Sequence, residues 1–179
     1  EAQRVQRFCE MDDLERFEAT IEEREEYEPL LQMDIAVFAG VDYHSILHQA
    51  EEEAGLIIWD GGNNGLPFVQ PDLHIVLVDP LRSGDETSFH PGEANLRMAD
   101  VVIINKADSA TPDQLAQVQA SVESVIRPGL PVVLADSAIT VAGVTQIRAK
   151  KVLVVGDGPT LTHGGMAYGA GTVVANKME

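Results

Sequence analysis

Val101-Val102-Ile103-Ile104-Asn105-Lys106-Ala107-Asp108 is a β-branched strand that ends in an NKxD tetrapeptide. It reads as a purine-base clamp. A carboxylate at Asp108 accepts two N–H bonds from the edge of guanine, which adenine cannot supply, while the Lys106 stem covers the flat base. Asn105 braces the loop and reaches the other edge of the base. The alternative is a polar strand-to-loop exit with no ligand, so the surrounding sequence has to decide.

Upstream, short apolar runs alternate with helical stretches. Strands are expected at Ile35 to Ala39, Leu56 to Trp59 and Leu73 to Val78, with a helix from Asp42 to Ala54. Asp42 is a suitable N-cap, and Tyr43, Ile46, Leu47 and Ala50 recur at helical spacing. Downstream, Thr111-Pro112-Asp113-Gln114 combines an N-cap, a proline at the first helical position and a Gln for the reciprocal cap. Leu115, Val118, Val122, Val125 and Ile126 then form a buried stripe. Strands at Val132 to Leu134 and Val152 to Val155 are almost continuously apolar, as in parallel sheets covered by helices on both faces.

The fold expected is α/β, a three-layer doubly wound and mostly parallel sheet. Residues 1–33 form an acidic helical segment in which Thr20 and Glu23 are spaced as a capping box. Residues 34–157 form the core, and 158–179 a Gly-rich C-terminal segment.

Ligands of open parallel sheets bind at the carboxyl ends of the strands. Trp59-Asp60-Gly61-Gly62-Asn63-Asn64 closes one strand with an acid and two glycines that let backbone approach a phosphate, which makes Asp60 the metal candidate. A plain turn capped by Asp60 is the alternative. Arg82, in the loop after Val78, pairs with a phosphate or carboxylate, or else lies free on the surface. The same long loop carries His90, Glu93 and Arg97 toward the strand ends. Glu93 and Arg97 have simpler roles open to them, the helix dipole and a surface acid. Ala135-Asp136-Ser137-Ala138 follows the next strand, where backbone N–H groups of Ser137 and Ala138 would meet the guanine oxygen. Beside the NKxD it forms one pocket.

Charge and size narrow the classes. The 179 residues carry a formal charge of −17, which opposes nucleic acid and anionic lipid but not a nucleotide held by local donors. Cys9 is the only cysteine, no run is long enough to span a bilayer, and a cytoplasmic setting is expected. His44 and His48 share a helix face and read as surface residues in the absence of an HExxH pattern. Gly156 to Met166 holds Asp157, Thr160, Thr162 and His163 in a Gly-rich exit, either a second anion pocket or a flexible tail.

The chain resembles the central and later part of the P-loop NTPase domain of the cyclic 2,3-diphosphoglycerate synthetase family. The resemblance rests on Thr20 to Pro29, Trp59 to Asn64, His90 to Glu93, Asn95 to Asp100, Asn105-Lys106 and Asp157 to Met166. It departs from the family in one respect: no GxxxxGK[ST] occurs, so a fragment incomplete at its N-terminus is expected. The resemblance implies Mg²⁺ with ATP or GTP, and closure of 2,3-diphosphoglycerate, the phosphorylated partner, into an internal phosphoanhydride. Arg82, His90 and Arg97 would be the catalytic cations beside Mg²⁺ at Asp60. Asn105, Lys106, Asp108, Ser137, Ala138, Gly61 and Gly62 would hold the nucleotide. A GTPase switch related to metal-insertion chaperones, and a nucleotide-binding module without activity, are the alternatives.

Overall fold

A computed structural model describes residues 3–62, 65–141, 150–156, 161 and 166–177. The chain divides into two units, Glu1–Asp60 and Gly61–Glu179.

In the first unit, strand β1 (Gln6–Phe8) is followed by helices α1 (Met11–Arg16) and α2 (Ile21–Leu31), strand β2 (Val37–Ala39) and helix α3 (Tyr43–Glu53). The capping box at α2 forms as its spacing predicts. The Glu23 N–H donates to Thr20 Oγ1 over 3.2 Å, and the Thr20 N–H donates to the Glu23 carboxylate over 2.8 Å. Asp42 likewise caps α3 by accepting the Ser45 N–H at 3.0 Å. The acidic N-terminal stretch also builds a small core, because Phe8, Leu14 and Leu31 are buried. The rings of Phe17 and Tyr27 stand 5.0 and 5.1 Å from that of Phe8.

Two strand expectations fail in this unit. Val37–Ala39 pairs antiparallel with Gln6–Phe8 in a two-stranded sheet, not in a parallel one. Leu56 to Trp59 forms no strand, and Leu56 and Ile58 are 79% and 81% exposed. Apolar content marks a segment as able to pair, but a strand also needs a hydrogen-bonding neighbour. Here the Trp59 ring tilts against Tyr43 at 5.8 Å instead.

The second unit is α/β with a three-stranded parallel sheet. Its strands β3 (Ile75–Val78), β4 (Val101–Ile104) and β5 (Val132–Leu134) lie side by side in chain order. Between β3 and β4 run a 3₁₀ turn at Pro80–Arg82 and the short helices α4 (Asp85–Ser88) and α5 (Gly92–Met98). Between β4 and β5 run a 3₁₀ turn at Ala107–Ser109 and helix α6 (Pro112–Glu123), and α7 (Ala170–Lys177) follows later. The Thr111–Gln114 capping box forms at α6.

Val76, Val78, Val102 and Ile104 point to one face and pack with Leu96 and Ala99 at α5 and with Val118 and Val122 of α6. Two right-handed crossovers that advance in the same direction put both helices on that face. The alternate residues Ile75 and Leu77 of β3 remain 45% and 51% exposed. Val152 to Val155, expected as a further strand, has no strand structure. Among the described residues no helix is long and apolar enough to cross a membrane.

Candidate functional site

The sheet's hydrogen bonding continues past the strands and draws their carboxyl ends together. The Asn105 N–H donates to Val78 O at 3.0 Å, the Ala135 N–H to Ile104 O at 2.9 Å, and the Ala107 N–H to Ala135 O at 3.0 Å. The NKxD segment is therefore anchored on both sides by the exits of β3 and β5.

Lys106 makes the turn possible. Its φ of 58° is left-handed, a conformation that costs a non-glycine residue on the order of 1 kcal/mol. The bend brings Lys106 Nζ to 2.6 Å from Asp79 Oδ2, with the two side chains 35% and 19% exposed. A partly buried ion pair of this geometry helps offset the backbone strain. Asp79 Oδ1 meanwhile accepts the Leu81 N–H at 3.0 Å, so one carboxylate fixes both Lys106 and the turn after β3.

Asp108 Oδ1 accepts the backbone N–H of Ser137 at 3.0 Å. The two segments expected to share a pocket thus touch directly. The Ser137 N–H, expected to face a base oxygen, is given to Asp108 in this structure, which leaves Ala138 exposed beside it. A cavity of about 620 Å³ opens here, lined by Lys106, Ser109 and Ser137 on one side and by Tyr168 and Thr172 on the other. That volume suits a small-molecule ligand.

The remaining candidates lie apart or are otherwise engaged. Arg97 gives two hydrogen bonds to Glu93 Oε1, at 2.9 and 2.6 Å, and sits in the last turn of α5 that leads into the amino end of β4. His90 is exposed just before α5. Asp60 is exposed at the end of the first unit, while Gly61 and Gly62 begin the second without regular structure. Asn63, Asn64, Asp157, Thr160, Thr162 and His163 lie outside the described residues. His44 and His48 are exposed, and His48 Nε2 is 3.8 Å from Glu52. Among the described residues no group of three or more His, Cys, Asp or Glu gathers as a metal-binding set. As a single exposed carboxylate, Asp60 has the chemistry of a magnesium ligand, an ion that takes only one or two carboxylates and keeps several waters.

Arg82 has a different environment. Its Nε lies 3.8 Å from Asp85 Oδ2, beyond hydrogen-bond reach. Arg82 Nε, Ser83 Oγ and Glu86 Oε1 are all shut from solvent without a hydrogen-bond partner among the described residues. Each such atom costs about 1 to 3 kcal/mol. Sequence reasoning singled out Arg82 but missed Asp79, Ser83 and Glu86. Asp79 carried the same signal as Asp60, an acid closing an apolar strand.

Comparison with known proteins changes the reading. No family model matches the chain, and no solved structure matches it. The chain is 56% identical over 173 residues to the protein named Arginine synthetase ArcE of Thermococcus kodakarensis. Those residues are 97% of this chain but 38% of that protein, so the chain spans well under half of the relative's length. This finding overturns the resemblance to cyclic 2,3-diphosphoglycerate synthetases, with the phosphoanhydride-forming activity, and leaves the switch and inert-module alternatives without support. The motifs behind that resemblance lie at strand exits and in loops, and such positions do not by themselves say which reaction a fold serves.

Proposed function

We propose that this chain is the nucleotide-binding part of a nucleoside triphosphate-dependent synthetase whose product is arginine. The observation that carries the nucleotide half is the joined cluster Asp79–Lys106 and Asp108–Ser137 at the carboxyl ends of three parallel strands. Its position, at the carboxyl ends of parallel strands, is where open α/β sheets take their ligands, and the adjoining cavity has the size of a small ligand. The product half draws on the relative's printed name. A net charge of −17 is compatible with a guanidinium product, which carboxylates recognise in bidentate fashion.

In this reading Lys106 covers the base and Asp108 accepts from its edge, with ATP or GTP entering as its Mg²⁺ complex. The GxxxxGK[ST] loop of P-loop proteins does not occur in these 179 residues, so the triphosphate grip of that type is not among their contributions. A synthetase couples cleavage of the nucleotide to joining two molecules, and this places the acceptor beside the nucleotide.

Calorimetric titration of the chain with Mg·ATP and Mg·GTP tests the reading, repeated on Lys106→Ala and Asp108→Ala. Saturable binding weakened by both substitutions is expected. Binding indifferent to both residues overturns it.

A further inference from the structure

We propose that Tyr168 stacks on the nucleobase, so that the cavity beside Lys106 and Ser137 seats the nucleoside and leaves the cationic amino acid outside it. This rests on the nucleotide half of the reading above.

Tyr168 and Lys106 line one cavity, of about 620 Å³, and so face a common space. Among the described residues of its wall, Tyr168 is the only aromatic and Lys106 the only charged side chain. The tyrosine is 43% exposed, and among the described residues no ring contact, hydrogen bond or ion pair engages it. A half-exposed ring without a partner is an open stacking surface. Its place follows from the segment after it. A Cβ on Gly169 would stand 2.8 Å from Leu161 Cδ1, and one on Gly171 would stand 2.8 Å from Val154 Cγ1. Glycine at both positions lets the start of α7 lie close against two side chains of the same cavity wall, and Tyr168 immediately precedes that stretch.

The make-up of the wall selects the occupant. Leu81, Ile139 and Val154 give it apolar surface, and Ser109, Ser137 and Thr172 give it polar points. No Asp or Glu is among its described residues; of the acids nearby, Asp79 is paired with Lys106 and Asp108 is bonded to Ser137. A guanidinium or ammonium brought into the cavity therefore meets Lys106 and finds no carboxylate of the wall to receive it. A nucleobase carries no charge and asks for flat apolar cover with a few polar contacts, which this wall offers. Where the Lys106 stem covers one face of the base, the Tyr168 ring covers the other. Stacking of this kind accepts any base, so Tyr168 adds to the binding of ATP and GTP alike, while Asp108 tells them apart.

The test is calorimetric titration of Tyr168→Ala and Tyr168→Phe with Mg·ATP, Mg·GTP and Mg·tripolyphosphate, which has no base, with circular dichroism reporting that both variants fold. Tyr168→Ala should weaken both nucleotides by about tenfold, the order of one base–aromatic stack, and leave tripolyphosphate unchanged. Tyr168→Phe should keep the nucleotide affinity, because the ring and not the hydroxyl makes the contact. In the unaltered chain, nuclear Overhauser contacts should join the Tyr168 ring protons to protons of the base, and saturating L-arginine should not displace the nucleotide. Nucleotide binding that needs Lys106 and Asp108 but is untouched by Tyr168→Ala, with no such Overhauser contact, overturns the stack alone. Displacement by L-arginine overturns the assignment of the cavity to the nucleoside. Binding indifferent to all three residues overturns the base-clamp reading together with the stack.

Discussion

Ser137 donates its backbone N–H to Asp108 Oδ1 over 3.0 Å, across 29 positions of sequence. The bond locks the exits of β4 and β5 together, so Asp108 has a structural role whatever else it does. Since Asp108 is exposed, its carboxylate remains open to a ligand.

Asp108→Ala should weaken whichever of ATP and GTP binds more tightly by about tenfold, the value of one charge-assisted hydrogen bond, and affect the other less. Titration calorimetry with both nucleotides checks this. Equal affinities and equal losses would remove the base-edge role.

Asp79→Asn should lower stability by about 1 to 2 kcal/mol, because it weakens a partly buried ion pair and leaves Lys106 in a strained conformation without its charged partner. For a chain of this length that corresponds to a fall in Tm of roughly 2 to 8 °C, read by thermal circular dichroism. An unchanged Tm would mean the pair is held in place by other contacts.

Acid should weaken the first unit through its capping carboxylates. Asp42 is lowered from 3.8 to about 2, chiefly by the Ser45 backbone N–H and then by the Arg4 guanidinium. Asp13 is lowered too, first by the Cys9 backbone N–H. A depressed carboxylate contributes stability that is full above its unfolded value and is lost as pH falls through its folded one. The Asp42 contribution therefore disappears between about pH 4 and pH 2, and Asp42→Asn should flatten that part of the profile in an acid titration followed by circular dichroism.

The isolated chain should show no measurable hydrolysis of Mg·ATP or Mg·GTP, because no GxxxxGK[ST] loop occurs in it. A phosphate-release assay checks this, and robust turnover would mean that the phosphates are gripped elsewhere in these residues.

Local signals were the legible ones. The Thr20, Asp42 and Thr111 caps, the β4 and β5 strands and the Val118 and Val122 part of the α6 stripe follow from residues a few positions apart and appear where their spacing predicts, while Val125 and Ile126 lie past the helix end at Glu123 and pack on the core from there. The losses are non-local. Leu56 to Trp59 and Val152 to Val155 are as apolar as β4, but what separates a strand from an apolar loop is a neighbour that sequence spacing does not reveal. The Gln6–Phe8 strand was hidden for the converse reason, a short polar-apolar run recruited by Val37–Ala39. Asp79 was in plain view, yet its partner Lys106 lies 27 positions away.

The half-exposed Ile75 and Leu77 side of β3 adds to the apolar surface through which copies of this chain can meet. Ile75 and Leu77 are adhesive, while seventeen surplus negative charges hold copies apart over a distance that shrinks to about 10 Å in 0.1 M salt. Solutions of the chain should therefore stay dispersed in dilute buffer and cluster as ionic strength rises, the reverse of what a protein glued by ion pairs would do.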